Sequence, residues 1–165
     1  MLLLLMRHGI AEPLSLDNLD DFHRALTKEG RNRTHQAALG LHDLMSRLDF
    51  LASSPKTRAR QTAQIVRGVW GKKAPRVTEW SELMEDDFAP LLSKLRVLSA
   101  QTVLICGHEP LLGRTVSQFL TGSPTLLPVE FKKAGVCALE IEFEPRNATL
   151  LWHLTPKQLR KIGAS

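Results

Sequence analysis

The sequence predicts an α/β fold of three layers, α/β/α, in which helices cover both faces of a mostly parallel sheet that ends in an antiparallel C-terminal edge hairpin. Three observations predict it. Short apolar runs alternate with stretches of helical periodicity over the first 120 residues, as successive βαβ units require. From Cys137 to Glu144 the odd positions are Cys, Leu, Ile and Phe while Glu140, Glu142 and Glu144 hold even ones, an alternation that marks a strand with one solvated face. At 165 residues and 43% apolar, the chain can bury one sizeable core but hardly two, so 1–165 is expected to be one domain.

The elements follow in order. Leu2 to Met6 is a continuous apolar run ending in Arg7-His8-Gly9, a buried strand feeding a loop. Residues Ile10 to Arg24 turn polar and irregular, with Pro13 and the acidic cluster Asp17, Asp20 and Asp21. A helix opens at Thr27, a good N-cap, with Glu29 in its first turn. Its expected buried stripe is Ala37, Ala38, Leu41, Leu44, Met45 and Leu48. Phe50-Leu51-Ala52 forms a second strand, stopped by Ser53-Ser54-Pro55. The next helix spans about 56–70, burying Ala59, Ala63, Val66 and Trp70, and Gly71 and Pro75 end it. Val77 to Trp80 is a third strand. Pro90 opens a third helix that runs to about Leu98. Thr102 to Cys106 is the clearest buried strand and leads into Gly107-His108-Glu109-Pro110. A helix then turns Leu112, Val116, Phe119 and Leu120 inward and ends near Gly122. After the turn Pro145-Arg146-Asn147-Ala148, Thr149 to Leu154 returns as the hairpin partner.

Composition narrows the function classes. The charged fraction is ordinary and no window repeats, which excludes disordered, collagen-like and solenoid chains. Net charge of +5 favours anionic ligands without choosing among them. Cys106 and Cys137, each inside an apolar run, fit a reducing compartment better than a disulfide scaffold. Met1 to Met6 lacks the basic start and the length of a signal peptide. No stretch approaches the roughly 20 apolar residues that span a bilayer. A soluble, cytoplasmic, monomeric protein with no membrane partner is the expectation.

Three strand ends carry residues suited to phosphate. Arg7-His8-Gly9 follows the first strand, Ser54-Pro55-Lys56-Thr57-Arg58 the second, and Gly107-His108 the fourth. In open α/β sheets ligands bind beyond the carboxyl ends of strands, near a topological switch point. Arg7, His8, Arg58 and His108 can therefore converge on one pocket despite their separation in sequence.

These blocks resemble the signatures of the histidine phosphatase superfamily, the phosphoglycerate-mutase-like enzymes. Arg7-His8-Gly9 is similar to the first block. Ser54 to Ala63 resembles the second, which carries an active-site arginine, and Gly107-His108-Glu109-Pro110 resembles the third, which carries a second histidine. Within the superfamily the likeness is greatest to SixA-type protein phosphohistidine phosphatases and covers nearly the whole chain. Arg24-Ala25-Leu26-Thr27-Lys28-Glu29-Gly30 resembles their Arg-Pro-Leu-Thr-x-x-Gly block, with Ala25 replacing proline. The closing segment Leu154-Thr155-Pro156 is also similar. Larger members insert a long segment where this chain has only about ten residues, Ser81 to Pro90. A short insertion leaves the pocket open, which suits a phosphorylated protein side chain.

The resemblance implies roles. His8 is the nucleophile, attacking phosphorus as a neutral imidazole and forming a phosphohistidine that water hydrolyses. Arg7 and Arg58 are expected to keep it neutral, with its second ring nitrogen donating to a carbonyl. Arg7, Arg58 and His108 grip the phosphoryl oxygens. Glu82 best matches the acid that protonates a leaving alkoxide in larger relatives, with Asp86 and Asp87 near enough to replace it. No cofactor and no metal is expected, since neither a metal-ligand spacing nor a nucleotide glycine pattern occurs.

The expected activity is metal-independent hydrolysis of phosphohistidine in a protein partner. A small phosphomonoester is the alternative substrate, and a non-catalytic phosphate-binding regulator the alternative class. The basic residues Lys56, Arg60, Arg67, Arg31 and Arg33 lack the aromatic interleaving of a nucleic-acid surface and read as solvated helix faces. His23, His35, His42 and His153 read as surface or packing residues, and Arg24 as a tie between the first loop and the helix start.

Overall fold

A computed structural model describes residues 1–14, 20–45, 47–144 and 146–164. Asp17 and Pro145, singled out above, lie outside the described residues. Six strands form one sheet: β1 (Leu2–Arg7), β2 (Phe50–Ser53), β3 (Val77–Glu79), β4 (Thr102–Gly107), β5 (Val136–Phe143) and β6 (Arg146–Leu154). Their order is β3-β2-β4-β1-β5-β6. The first four are parallel, while β5 pairs antiparallel with β1 and with β6. The expected mostly parallel sheet with an antiparallel edge hairpin is the sheet observed.

Helices α1 (Lys28–Leu44), α2 (Thr57–Trp70) and α5 (Pro156–Ile162) cover one face, and α3 (Phe88–Arg96) and α4 (Leu111–Thr121) the other. Alternation along β1 divides the core between them. Leu3 and Leu5 pack with Leu91, Leu95, Leu112 and Val116, whereas Leu4 and Met6 meet Ala37, Leu41, Ala63, Val66 and Leu159. β1 and β4 are covered on both sides, hence their unbroken apolar runs.

Several boundaries move, each for a local reason. Thr27 caps α1 as expected, its hydroxyl accepting from the Gly30 amide at 2.8 Å. The α1 stripe is shorter than its periodicity suggests. Ala37, Ala38 and Leu41 are buried, Leu44 is 44% exposed, and Leu48 is buried only after the helix has ended at Met45. α3 begins two residues before Pro90 because Asp87 caps it through the Ala89 amide. In β5 the alternation holds only from Leu139 onward, since Val136 and Ala138 are buried beneath the α1/α5 layer as well.

α5 was not among the expected elements. Its signal is nonetheless present: Thr155, Pro156 and Gln158 make a capping box with proline in the first turn. Leu159 then anchors the short helix in the core. Among the described residues, no helix is long and apolar enough to cross a membrane.

α5 lies so close to α1 that a Cβ at Gly40 meets the Leu159 carbonyl and the Gly163 amide, all backbone that cannot rotate away. Gly40→Ala is therefore expected to lower stability by about 1–3 kcal/mol, the usual range for overpacking, measured as a fall in urea midpoint at unchanged slope.

Candidate active site

The register of the two central strands assembles the site. β1 and β4 pair with a constant offset from Leu2↔Thr102 to Arg7↔Gly107, and the next residue on each chain is a histidine. The His8 amide donates to the Gly107 carbonyl at 3.0 Å, extending the ladder one step. His8 and His108 thus leave adjacent strands side by side, with ring centroids 5.0 Å apart. β2 lies on the other side of β4, and the Ser54 amide donates to the Cys106 carbonyl at 3.0 Å. This delivers the 54–58 segment, and with it Arg58 in the first turn of α2, to the same end of the sheet.

His8 is buried, with 6% of its surface exposed. Its Nδ1 lies 2.7 Å from the Gly9 carbonyl, which can only accept, and its Nε2 lies 3.3 Å from Arg58 Nε, which can only donate. These partners fix the tautomer, with the proton on Nδ1 and the lone pair on Nε2. Burial is the largest influence on its pKa, lowered to about 3, and Arg58, Arg7 and Lys133 lower it further against the opposing Gly9 hydrogen bond. The sequence reading credited the two arginines with keeping His8 neutral. Desolvation is the larger cause, because it disfavours the charged ring wherever the added cations lie.

His108 has its Nε2 2.9 Å from Ser54 Oγ, while its buried Nδ1 has no hydrogen-bond partner among the described residues. Its pKa is lowered to about 2, first by burial and then by His8, Arg58 and Lys56. Arg58, 4% exposed, has all three nitrogens engaged. Nε points at His8, Nη1 donates to the Asp21 carbonyl at 2.6 Å, and Nη2 reaches Asp21 Oδ2 at 3.1 Å. Arg7 ends β1 and donates from Nη1 to the Phe131 carbonyl at 2.5 Å.

Three residues that the sequence reading passed over organise this cluster. Asp21 holds Lys56 at 2.8 Å, Arg24 at 2.7 Å and Arg58 at 3.1 Å. Those cations, Lys56 foremost, hold its carboxyl well below the usual range. Lys56 is thus part of the cleft rather than of a solvated face, and Arg24 ties to Asp21 and the Glu12 carbonyl instead of the helix start. Thr62 accepts from the Gly9 amide at 3.0 Å and donates to the Arg58 carbonyl at 2.8 Å, locking the His8 loop to α2. Glu109 accepts from the Phe131 and Gly113 amides and so secures the segment that receives Arg7. Asp21 had a signal in its place three residues before Arg24, but neighbouring acids obscured it.

The cleft beside these groups has a volume of about 460 Å³. Asp21, Lys56, Arg58 and His108 line it together with Glu85 and Asp86. Glu82 is not brought to it. Leu83, 1% exposed, plugs the core from the short 3₁₀ turn Ser81–Met84. That anchoring turns Glu82 towards α3, where it pairs with Lys94 at 3.2 Å. Asp87 is engaged as the α3 cap, leaving Asp86, 3.7 Å from Arg114, as the expected substitute that does line the cleft.

The chain resembles known proteins over most of its length. Residues 3–94, more than half the chain, match the model of the histidine phosphatase superfamily (branch 1). The chain belongs to the histidine phosphatase superfamily. An uncharacterized protein of Picosynechococcus sp. is 30% identical over 141 residues, covering 84% of each chain. The structure of the protein histidine phosphatase SixA complexed with tungstate superposes with a TM-score of 0.80 at 26% identity, covering 96% of this chain and 99% of that one. A structure assigned to SixA from Agrobacterium tumefaciens gives 0.78 at 24% identity, covering 94% and 98%. The fold is that of these phosphatases, and the chain is a phosphatase.

Two neutral histidines make stability depend on pH. Both have folded pKa values below the ordinary 6.5, so below that pH the unfolded chain binds protons that the native state refuses. Their contribution is complete above pH 6.5 and is lost as pH falls towards 3, at up to ~1.4 kcal/mol per pH unit for each ring. His108→Asn is expected to lose less stability than wild type between pH 6.5 and about 4, measured by thermal melts across that window.

Proposed function

We propose that this phosphatase hydrolyses phosphohistidine in a protein partner, without a metal, through a phosphoryl group carried on His8. The observation that carries the reading is the state of His8: a buried, neutral ring whose only lone pair lies beside a fixed guanidinium. In the first step the Nε2 lone pair bonds to phosphorus as the substrate N–P bond breaks, and the released imidazole keeps the proton it gained before transfer. In the second, water attacks phosphorus, the His8 N–P bond breaks, and phosphate leaves with the ring neutral again. Arg7, Arg58 and His108 stabilise the charge on the equatorial oxygens.

Two features favour phosphohistidine over an alkyl phosphomonoester. Glu82, the first candidate to protonate a leaving alkoxide, pairs with Lys94 away from the cleft, its substitute Asp86 is paired with Arg114, and a protonated imidazole leaves without such an acid. The short Ser81–Pro90 connection leaves the approach to His108 open, and SixA itself is a protein histidine phosphatase.

The test is phosphate release from a phosphohistidine-bearing protein beside a panel of phosphomonoesters, with and without EDTA. The expected result is preference for phosphohistidine, indifference to EDTA, and no release by His8→Ala. Preference for phosphomonoesters would overturn the substrate class and leave the His8 step intact, whereas full activity in His8→Ala would overturn the step. Arg58→Ala is expected to lower kcat by about 10²–10³, as for other donors to developing oxyanion charge. Asp21→Asn, which unpins Arg58 without removing it, is expected to lower kcat/KM by about tenfold to a hundredfold. The His8 proton leaves kcat/KM flat from pH 7 to 5, because the ring titrates at about 3, and a pH profile checks this.

A further inference from the structure

A second recess, lined in part by Arg7, has a volume of about 360 Å³. Its lining includes five cations, Arg7, Arg33, Lys132, Lys133 and Arg160, drawn from four separate parts of the chain, and no acidic residue among the described ones. Arg33 pairs with Glu29 and Lys132 with Glu130, both at the surface. Among the described residues, Lys133 and Arg160 have no ion-pair partner. Like charges are therefore gathered here with carboxylate partners only for Arg33 and Lys132 among the described residues, and such self-repulsion costs stability unless something else uses it.

The recess is next to the nucleophile. Ile10, two residues after His8, lines it with the apolar Ala134 and Pro156. The Ala134 amide donates to both the Arg7 and His8 carbonyls, at 3.0 and 3.1 Å. Arg7 and Lys133 both act electrostatically on His8. An occupant of the recess and a phosphoryl group on His8 are thus within reach of one short stretch of polypeptide.

We infer that this recess docks an acidic segment flanking the phosphorylated residue of a protein substrate, an inference that rests on the protein-substrate reading above. The lining selects this occupant. Arg33, Lys132 and Lys133 are exposed side chains that can follow several solvated carboxylates, whereas a dedicated small-anion site converges buried donors on one point. The apolar part of the lining accepts an aliphatic side chain between those carboxylates. Charge complementarity of this type raises association rate and partner choice more than it changes the chemistry.

The test uses two fluorescent peptides with a central histidine, one flanked by glutamates and one by lysines, against full-length His8→Ala, which separates docking from turnover. The glutamate peptide is expected to bind, to release when salt is raised to about 0.5 M, and to bind about tenfold more weakly to a protein also carrying Arg33→Glu and Lys132→Glu. Arg160→Gln, which keeps the length of that side chain, is expected to weaken it in the same direction. With His8 intact, the surface variant should lose kcat/KM on the phosphorylated glutamate peptide and keep it on phosphoimidazole. Equal binding of both peptides, or equal binding by wild-type and variant recesses, would overturn the docking site. Charge-selective binding with no hydrolysis of the phosphorylated peptide would instead sink the proposed substrate and leave the docking site standing.

Discussion

The cleft depends on one pairing, that of β1 with β4 in parallel register. Their constant offset brings the residues after the two strands to the same height, and both of those residues are histidines. A slip by one residue would turn one ring into the core and leave the other alone. The pairing is enforced from both sides, because alternate residues of each strand are buried in two different core layers. Packing far from the cleft therefore sets a distance of 5.0 Å between two rings inside it.

Around that pair the molecule manages a concentration of positive charge. Arg7, Arg58 and Lys56 lie near two rings that stay neutral because they are buried. α2 organises much of the rest. Arg58 binds the Asp21 backbone, Gln61 accepts from the Leu26 amide, and Thr62 accepts from the Gly9 amide. Three points of the β1–α1 connection are thereby tied to one helix, so the guanidinium and that loop keep their places together.

Much of this was legible in the sequence. The parallel strands, the hairpin and the convergence of His8, Arg58 and His108 follow from apolar runs that end in short polar blocks. Other features required the third dimension. Asp21 is one of several acids in an irregular segment, and only the folded chain shows that it meets three cations. Glu82 holds the expected place along the chain, but a buried leucine beside it decides which way the turn faces. The α5 capping box was readable by its residue spacing, yet it sits directly behind a strand, where a seven-residue helix is easily absorbed into the tail. The α1 stripe misled at Leu44, which falls on the periodic positions and yet is exposed, whereas Met45 beside it packs against the core.

Asp21 also bears on how the cleft empties. Arg58 already has a carboxylate partner before any ligand arrives. On the proposed reading, a phosphate that binds must share or displace that partner, and when it departs the guanidinium returns to Asp21 rather than to bare solvent. On the same reading, the resident carboxylate narrows the free-energy gap between the filled and empty site. It makes the pocket a place of exchange, able to hold phosphate for transfer without becoming a trap for its own product.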